Sequence, residues 1–132
     1  MVLGGCRVGA AIAVSDMTRT RAFYEGVLGL APATDHEPAD NVRYVCGEGT
    51  VVHVFTTPHA GTATSTVAGW EVGDIEAVVD ELAARGVGFE QYDEPGLRTD
   101  PRGIATFPGD NRVAYFKDPD GNILSIAQPG PG

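Results

Sequence analysis

The sequence predicts an α+β protein of two βαβββ modules, which form one curved mixed sheet around a cleft with the helices outside. The main observation is a repeat: an apolar strand, a polar cap and a helix occur twice, and the caps Asp16 and Asp74 are 74 − 16 = 58 residues apart. Each helix is followed by segments with strand-like composition, and each module ends in a glycine-containing hairpin. The modules span about 7–57 and 66–128, within a single domain at residues 1–132.

The first module begins with the apolar strand AIAV and continues into a helix from about Asp16 to Leu28. Apolar side chains recur in this helix at 3.6-residue spacing, Ser15 or Asp16 can cap its N terminus, and Gly29 ends it. The strands VRYVC and TVVHVF follow, and they are joined by a turn that contains Gly47 and Gly49. The small polar segment TPHAGTATST then links this module to the next one.

The second module repeats this order, with a helix from about Asp74 to Arg85 that Gly86 ends. The segments VGFEQY, NRVAYF and NILSIA are predicted strands. The DPDG sequence between the last two has proline second and glycine fourth, which is typical of a type I turn. Residues 93–111 are predicted to be a long loop, and loops of this length in small domains are often lids or binding loops.

Composition excludes several classes of function. The chain has 9 basic and 18 acidic residues, a net charge of −9, which argues against binding to nucleic acid. It has no apolar run long enough to span a membrane, and its first residues lack the layout of a signal peptide, so a cytoplasmic location is expected. Cys6 and Cys46 are expected to be reduced thiols that are at least partly buried.

Three segments resemble the vicinal oxygen chelate superfamily: VSDMTRTRAFYEGVLGL, VGDIEAVVDELAARGV and YFKDPDGNILSIAQ. This superfamily includes glyoxalase I, bleomycin resistance proteins and extradiol dioxygenases. The resemblance covers about Arg7 to Gln128 and is specific to the superfamily, not to one activity. It implies the paired βαβββ fold, a ligand cleft in the sheet and a homodimer.

The resemblance also implies where a metal ion would bind. Enzymes of the superfamily hold a divalent metal such as Zn, Ni, Fe or Mn through His, Glu or Gln on the first and last strand of each module. The corresponding positions here are Gly9, Val67, His53 and Ser125, with Ser125 in place of the glutamate that follows DPDGN. Only His53 is a usual ligand, and metals of this kind need two or three protein donors. The expected cofactor is therefore none, with a divalent metal as the alternative.

Strand alternation predicts which side chains line the cleft, because neighbours two residues apart share a face. His53 and Glu71 are the candidates for acid–base chemistry; the alternatives are a structural histidine and a carboxylate on the rim in water. The register leaves open whether Tyr115 or Phe116 faces the cleft. The candidate ligand-binding residues are His53, Phe55, Glu71, Tyr44, Phe116, Tyr115, Ser125 and Arg98.

The resulting functional hypothesis is a metal-free binding protein, most similar in character to the bleomycin resistance type. Its partner would be a small organic molecule, such as an antibiotic, and not nucleic acid or a membrane. The acidic composition is compatible with a cationic ligand. The alternatives are a metal-dependent lyase, isomerase or dioxygenase, a metal-free acid–base enzyme of the same superfamily, and a regulatory domain with a vestigial cleft.

Overall fold

The computed structural model describes residues 2–35 and 38–131, and the chain divides into two compact units, Met1–Gly61 and Thr62–Gly132. Each unit contains a four-stranded mixed sheet and one helical segment. The predicted α+β class and the two βαβββ modules are confirmed. The joining of both sheets around one cleft, and the combination of both modules in a single domain, stay predictions.

The first unit contains β1 (Ala10–Val14), α1 (Met17–Arg21), a π-helical continuation (Ala22–Val27), β2 (Ala31–Pro32), β3 (Asn41–Val45) and β4 (Val51–Thr56). The strand order in the sheet is β1-β4-β3-β2. β1 runs parallel to β4, and the other neighbours are antiparallel. This sheet positions the residues of β3 and β4 that were predicted to bind a ligand.

The helix of the first unit begins and ends close to the predicted residues. The Asp16 carboxylate accepts a hydrogen bond of 3.0 Å from the backbone N–H of Arg19, which is the expected N-terminal cap. The helix widens in its second half, where the backbone N–H of Leu28 donates to the carbonyl of Phe23, five residues earlier. Tyr24 in this wider turn is fully buried and packs against the sheet.

The second unit contains β5 (Thr66–Glu71), α2 (Ile75–Ala84), a short hairpin of β6 (Asp93–Glu94) and β7 (Leu97–Arg98), β8 (Ile104–Phe107), β9 (Asn111–Lys117) and β10 (Ile123–Gln128). Its main sheet has the order β5-β10-β9-β8. β5 runs parallel to β10, as β1 does to β4, so the two sheets repeat the same topology.

Helix α2 is fixed at its N terminus by two side chains. The Asp74 carboxylate accepts from the backbone N–H of Ala77 at 3.2 Å, and Gln128 Oε1 on β10 accepts from the N–H of Ile75 at 2.9 Å. These bonds satisfy backbone donors that the first helical turn leaves without partners. Gly86 ends the helix at a positive φ of 96°, as predicted.

The predicted strand VGFEQY is wrong. The segment forms only an isolated bridge, in which Phe89 pairs with Phe116, and the edge of the sheet is occupied by β8 from the predicted loop. Two contacts hold β8 there: Asp100 accepts from the N–H of Ile104 at 3.0 Å, and Arg102 pairs with Glu76 of α2 at 2.8 Å. Gly103 permits the close approach to Phe89, because a Cβ at this position would collide with that side chain. The long loop is therefore replaced by a hairpin and a strand.

The final hairpin has the turn that was predicted from DPDG. The backbone N–H of Gly121 donates to the carbonyl of Asp118 at 3.0 Å, and Gly121 has a φ of 83°. Gly49, at the equivalent place in the first unit, has a φ of 76°. Side chains with a Cβ rarely adopt this conformation, which explains glycine at both turns.

The two cysteines are free thiols, but Cys6 is exposed and Cys46 is partly buried. The expected burial is therefore wrong for Cys6, which lies in the exposed segment before β1. No helix of residues 2–35 and 38–131 is long and apolar enough to cross a membrane.

Candidate functional site

The sheet of the first unit has one face against the helix and one opposite it. Tyr24 and Tyr44 stack with their ring centroids 6.1 Å apart, and the Tyr44 hydroxyl donates to Glu25 Oε2 at 2.8 Å, so β3 presents Tyr44 to the helix. The residues that alternate with Tyr44 lie on the other face. We call this other face the first distal face; it is formed by Ala11, Ala13, Asn41, Arg43, Val45, Val51, His53 and Phe55.

His53 lies at the centre of the first distal face. Its neighbours in register are Ala11 on β1 and Arg43 on β3, so a small side chain flanks it on one side and a guanidinium on the other. His53 Nε2 lies 3.4 Å from Asn41 Oδ1, a distance at which an Nε2–H can donate a long hydrogen bond to the amide oxygen. The ring is also in contact with Phe55, with centroids 5.8 Å apart. The two predicted residues on β4 are thus adjacent.

Asn41 holds the polar part of this face in place. Its Nδ2 donates to Asp40 Oδ1 at 3.0 Å, while its Oδ1 is directed towards His53. The Asp40 carboxylate can only accept a hydrogen bond, so it requires the amide nitrogen on its side, and the amide oxygen therefore faces the imidazole. Asn41 therefore acts as a positioning residue for the histidine ring.

Arg43 is a residue of this face that the sequence analysis missed. It pairs directly with His53 across β3 and β4, and its side chain is exposed. Within residues 2–35 and 38–131, no hydrogen bond or ion pair engages its guanidinium. The signal was present in NVRYV, where polar residues alternate with Val42 and Tyr44.

Tyr44 was predicted to contact a ligand, and its position corrects this. Tyr44 is fully buried between the sheet and the helix segment, because it shares the face of Val42, Val52 and Val54. Its hydroxyl is already engaged by Glu25, which in turn accepts from Arg21 Nε at 2.6 Å. Tyr44 is thus part of the core of the first unit and does not lie on the distal face.

The second unit has an equivalent distal face, opposite α2. Arg112 of β9 reaches Glu76 of α2 at 3.5 Å, so the residues that alternate with it point away from the helix. Tyr115 pairs with Ser125, and Ser125 pairs with Gly69 on β5. We call this the second distal face; it is formed by Gly69, Glu71, Ala105, Val113, Tyr115, Ser125 and Ala127.

This register answers which aromatic residue of β9 lies on the face of Ser125. Tyr115 shares that face, whereas Phe116 pairs with Leu124, is 1% exposed and contacts Phe89 with ring centroids 5.7 Å apart. Phe116 therefore belongs to the core under α2, which corrects its prediction as a ligand contact. Glu71 lies on the second distal face and is exposed.

Ser125 is nearly buried, at 9% exposure, and its hydroxyl lies over Gly69. A Cβ on Gly69 would overlap with Ser125 Oγ, so the glycine on β5 leaves the space that the serine fills. This pair occupies the same register as Ala11 and His53 in the first unit. The repeat thus places a histidine on one distal face and a small, covered hydroxyl on the other.

Tyr115 has an aromatic neighbour outside the sheet. Its ring meets that of Tyr92 edge to face, with centroids 5.6 Å apart. Burial raises the pKa of the Tyr115 phenol above its usual range. Burial, followed by repulsion from the Glu90 carboxylate, raises the pKa of Tyr92. Both phenols are therefore neutral hydrogen-bonding groups at physiological pH.

Arg98, another predicted ligand contact, lies in the hairpin of β6 and β7. Its guanidinium pairs with Asp93 at 3.1 Å, and both side chains are largely exposed. Such exposed ion pairs are weak, so the pairing does not prevent Arg98 from contacting an anion. Among the described residues, Arg98 lies on neither distal face as defined by the strand registers.

The residues at the metal-binding positions of the superfamily do not form a suitable donor set. Gly9 has no side chain and the side chain of Val67 is a hydrocarbon, so neither supplies a donor atom. The remaining potential donors are the imidazole of His53 and the nearly buried hydroxyl of Ser125. In the part of the chain that the structure describes, no three His, Cys, Asp or Glu side chains are grouped as a metal site would require.

Comparison with known proteins identifies similar sequences at the level of a family. A family model described as the glyoxalase/bleomycin resistance protein/dioxygenase superfamily matches residues 8–126. Comparison with curated proteins gives no match. Among solved structures, a glyoxalase/bleomycin resistance protein from Catenulispora acidiphila is 25% identical, with 92% of this chain and 96% of that chain covered and a TM-score of 0.67.

Two further structures share the fold at lower identity. A lactoylglutathione lyase from Agrobacterium tumefaciens is 19% identical over 94% of this chain and 93% of that chain, with a TM-score of 0.66. An antibiotic binding protein from a Streptomyces species is 19% identical over 96% of this chain and 98% of that chain, with a TM-score of 0.64. One fold therefore accommodates a lyase and a binding protein, and similarity at this level shows the fold alone.

Proposed function

Because the chain belongs to the glyoxalase/bleomycin resistance protein/dioxygenase superfamily, we propose that it is a binding protein that holds a small organic molecule, such as an antibiotic, without a metal ion. The first distal face is the observation that carries the proposal. It combines an imidazole, a guanidinium and an amide with the ring of Phe55, beside the small side chains of Ala11 and Ala13. Ligand sites typically combine an apolar surface with a few polar groups in this way.

The chemistry of the donor positions supports binding without a metal. A divalent metal needs several side-chain donors, and here one imidazole lies beside a glycine, a valine and a covered serine hydroxyl. Aromatic and polar contacts would then supply the affinity, from His53 and Phe55 on the first distal face or from Glu71 and Tyr115 on the second. The solved antibiotic binding protein supports the proposal as an example of this use of the fold.

A ligand screen tests the proposal. A ligand stabilises the native state by mass action, so the melting temperature should rise with concentration in the presence of cationic antibiotics, aromatic polyketides or organic acids. For a confirmed ligand, His53→Ala should weaken binding by about tenfold, since a hydrogen bond is worth about 1 kcal/mol. His59→Ala is the matched control, because His59 is an exposed loop histidine outside the distal faces. Flat melting curves across all three classes would contradict the proposal.

Elemental analysis tests the metal-free part separately. Protein purified without chelators should contain far less than about one metal ion per chain, and the addition of a chelator should not change its melting temperature. About one Zn, Ni, Fe or Mn ion per chain would overturn this part and favour the lyase, isomerase or dioxygenase alternative.

The proposal includes a homodimer in the cytoplasm. The homodimer is carried over from the superfamily, and light scattering of the purified protein tests it: a mass of twice 13.8 kDa is expected. A monomer at micromolar concentration would contradict the dimer but not the binding function.

A further inference from the structure

We infer that the first distal face selects ligands that carry a carboxylate or a comparable planar anion next to an aromatic ring, with Arg43 as the residue that recognises the anion. The inference rests on the proposed binding function and names the class of ligand for that function. It depends on the position of Arg43, whose side chain is exposed and whose guanidinium makes no hydrogen bond or ion pair with residues 2–35 and 38–131.

Arg43 differs from most of the other arginines, because five of those seven pair with a carboxylate in the described part of the chain. Arg21 pairs with Glu25, Arg85 with Glu81, and Arg102 with Glu76 and Asp80. Within residues 2–35 and 38–131, the guanidinium of Arg43 has no such partner. Its five donors form a rigid fork that matches the two oxygens of a carboxylate.

The neighbours of Arg43 complete a site for an anion. His53 lies directly opposite on β4, where cross-strand side chains are about 5 Å apart at Cβ, so an oxygen bound to the guanidinium is also within reach of the imidazole. The nearby Asp40 carboxylate already accepts from Asn41 Nδ2 at 3.0 Å. The carboxylate of a ligand would therefore meet the donors of the guanidinium beside the imidazole, and no free acidic group from this pair of strands.

The aromatic part of the ligand has a matching surface on the same face. Phe55 lies two residues after His53 on β4, on the same face of the sheet. Its neighbours in register are Ala13 on β1 and Asn41 on β3. A planar ring that extends from the anion can stack on Phe55, since the alanines leave room above β1. The anion and the ring are separated by one two-residue step along the strand, about 7 Å.

The distribution of charge favours this unit over the other as the site for an anion. Residues 1–61 contain 4 basic and 6 acidic residues, a net charge of −2, whereas residues 62–132 contain 5 and 12, a net charge of −7. A cation would be drawn to the second unit, and an anion meets the smaller repulsion at the first.

Paired ligands test the inference. Benzoate, naphthoate and anthracene carboxylate are each compared with the corresponding carboxamide, which has the same shape but no charge, by calorimetric titration. Wild-type protein should bind at least one of the acids about tenfold or more tightly than its amide, because a hydrogen bond to a charged group is worth about 1.5–3 kcal/mol. In Arg43→Gln this ratio should fall to about one, while the affinity for the amide stays the same.

Two further variants separate recognition by Arg43 from a general effect of charge. Arg19→Gln removes the same charge from the exposed side of α1, on the other side of the sheet, and should keep the preference for the acid. Arg43→Lys keeps the charge but loses the fork, and should retain only part of the preference. Circular dichroism of Arg43→Gln should match that of the wild type, because the side chain is exposed.

The outcomes distinguish this inference from the proposed function. If the wild type binds the amides as tightly as the acids, or if Arg43→Gln keeps the preference, the selectivity for anions is overturned while binding of an organic molecule stands. If none of these compounds binds but a cationic antibiotic does, the inference again fails alone. If no compound of either panel binds, both the inference and the proposed function fail.

Discussion

Thr20 contributes a buried hydroxyl to the helix face of the first unit. It is fully buried, and among the described residues its Oγ1 has no hydrogen-bond partner. A buried polar group without a partner loses its bonds to water on folding and gains nothing in return. Thr20→Val keeps the shape and removes the hydroxyl, so it should raise the free energy of unfolding by about 1 kcal/mol, as measured by urea denaturation.

Thr18 provides the control for this prediction. It lies two residues earlier on the same helix and is exposed, so Thr18→Val should change the free energy of unfolding by less than about 0.5 kcal/mol. A loss of stability in Thr20→Val would contradict the prediction and would indicate that the hydroxyl finds a partner in solution.

Tyr115 makes the stability of the second unit sensitive to high pH. Burial raises the pKa of its phenol in the folded protein above that of the unfolded chain, so folding favours the neutral form. This stabilisation is fully present below about pH 10 and is lost as the pH rises through the folded pKa. Tyr115→Phe should therefore reduce the fall in melting temperature above about pH 10, and a tyrosinate absorbance titration should lose one late-titrating group. An unchanged alkaline profile would contradict this account.

Whether a strand residue lines the candidate site could be predicted only where the face of the sheet on which it lies could be predicted. Alternation along β4 correctly grouped His53 with Phe55 and put Val52 and Val54 on the opposite face. Alternation along β3 likewise puts the buried Tyr44 and the exposed Arg43 on opposite faces. Sequence shows alternation within a strand, but the pairing between strands decides which of two alternating sets joins a given face.

At the level of elements, the final turn is the most strongly specified local structure. Asp118 is 5% exposed and accepts hydrogen bonds from the backbone N–H groups of Asp120 and Asn122, both at 2.9 Å, and from Asn122 Nδ2 at 2.8 Å. These three bonds satisfy the carboxylate and hold the reversal between β9 and β10. The DPDGN sequence therefore specifies the turn through its first and last side chains as well as through proline and glycine.

Removal of this carboxylate should destabilise the hairpin. Asp118→Ala removes the acceptor of three hydrogen bonds in this turn, and the expected loss in the free energy of unfolding is about 2–3 kcal/mol. Asp118→Asn keeps one oxygen for the two backbone donors and should lose less. Chemical denaturation of both variants gives the order, and an equal loss in the two would contradict the role of Oδ1.

Helices and their ends were predictable because their signals are local. Asp16 and Asp74 cap the two helices by accepting from the backbone N–H three residues later, and Gly86 ends the second helix. The strand β8 was not predictable in this way, because it is held by contacts from distant parts of the chain: Arg102 to α2, and Gly103 against Phe89. The segment that contains Phe89 has higher strand propensity but only bridges to Phe116.

At the scale of the whole molecule, the two units keep one topology while their chemistry diverges. The parallel pairing of first and last strands places His53 beside Ala11 in one unit and Ser125 beside Gly69 in the other. The first strands are offset by 69 − 11 = 58 residues, as the sequence repeat predicts, and the last strands by 125 − 53 = 72 residues. The repeat could not predict how accessible each position is to solvent. The exposure of Ser125, which is nearly buried, and of His53, which is half-buried, depends on the neighbouring side chains.

The acidic excess of residues 62–132 should make the stability of the protein dependent on ionic strength. Repulsion among its carboxylates opposes folding and is screened by salt, so the melting temperature should rise as NaCl increases from about 10 mM to about 0.1 M, where the screening length falls from about 30 Å to about 10 Å. Glu94 is exposed and has no ion pair among the described residues, so Glu94→Gln should reduce this rise. Glu81→Gln should not reduce it, because Glu81 is already paired with Arg85 at 2.8 Å. A melting temperature that falls with salt would show that the surface ion pairs outweigh the net repulsion.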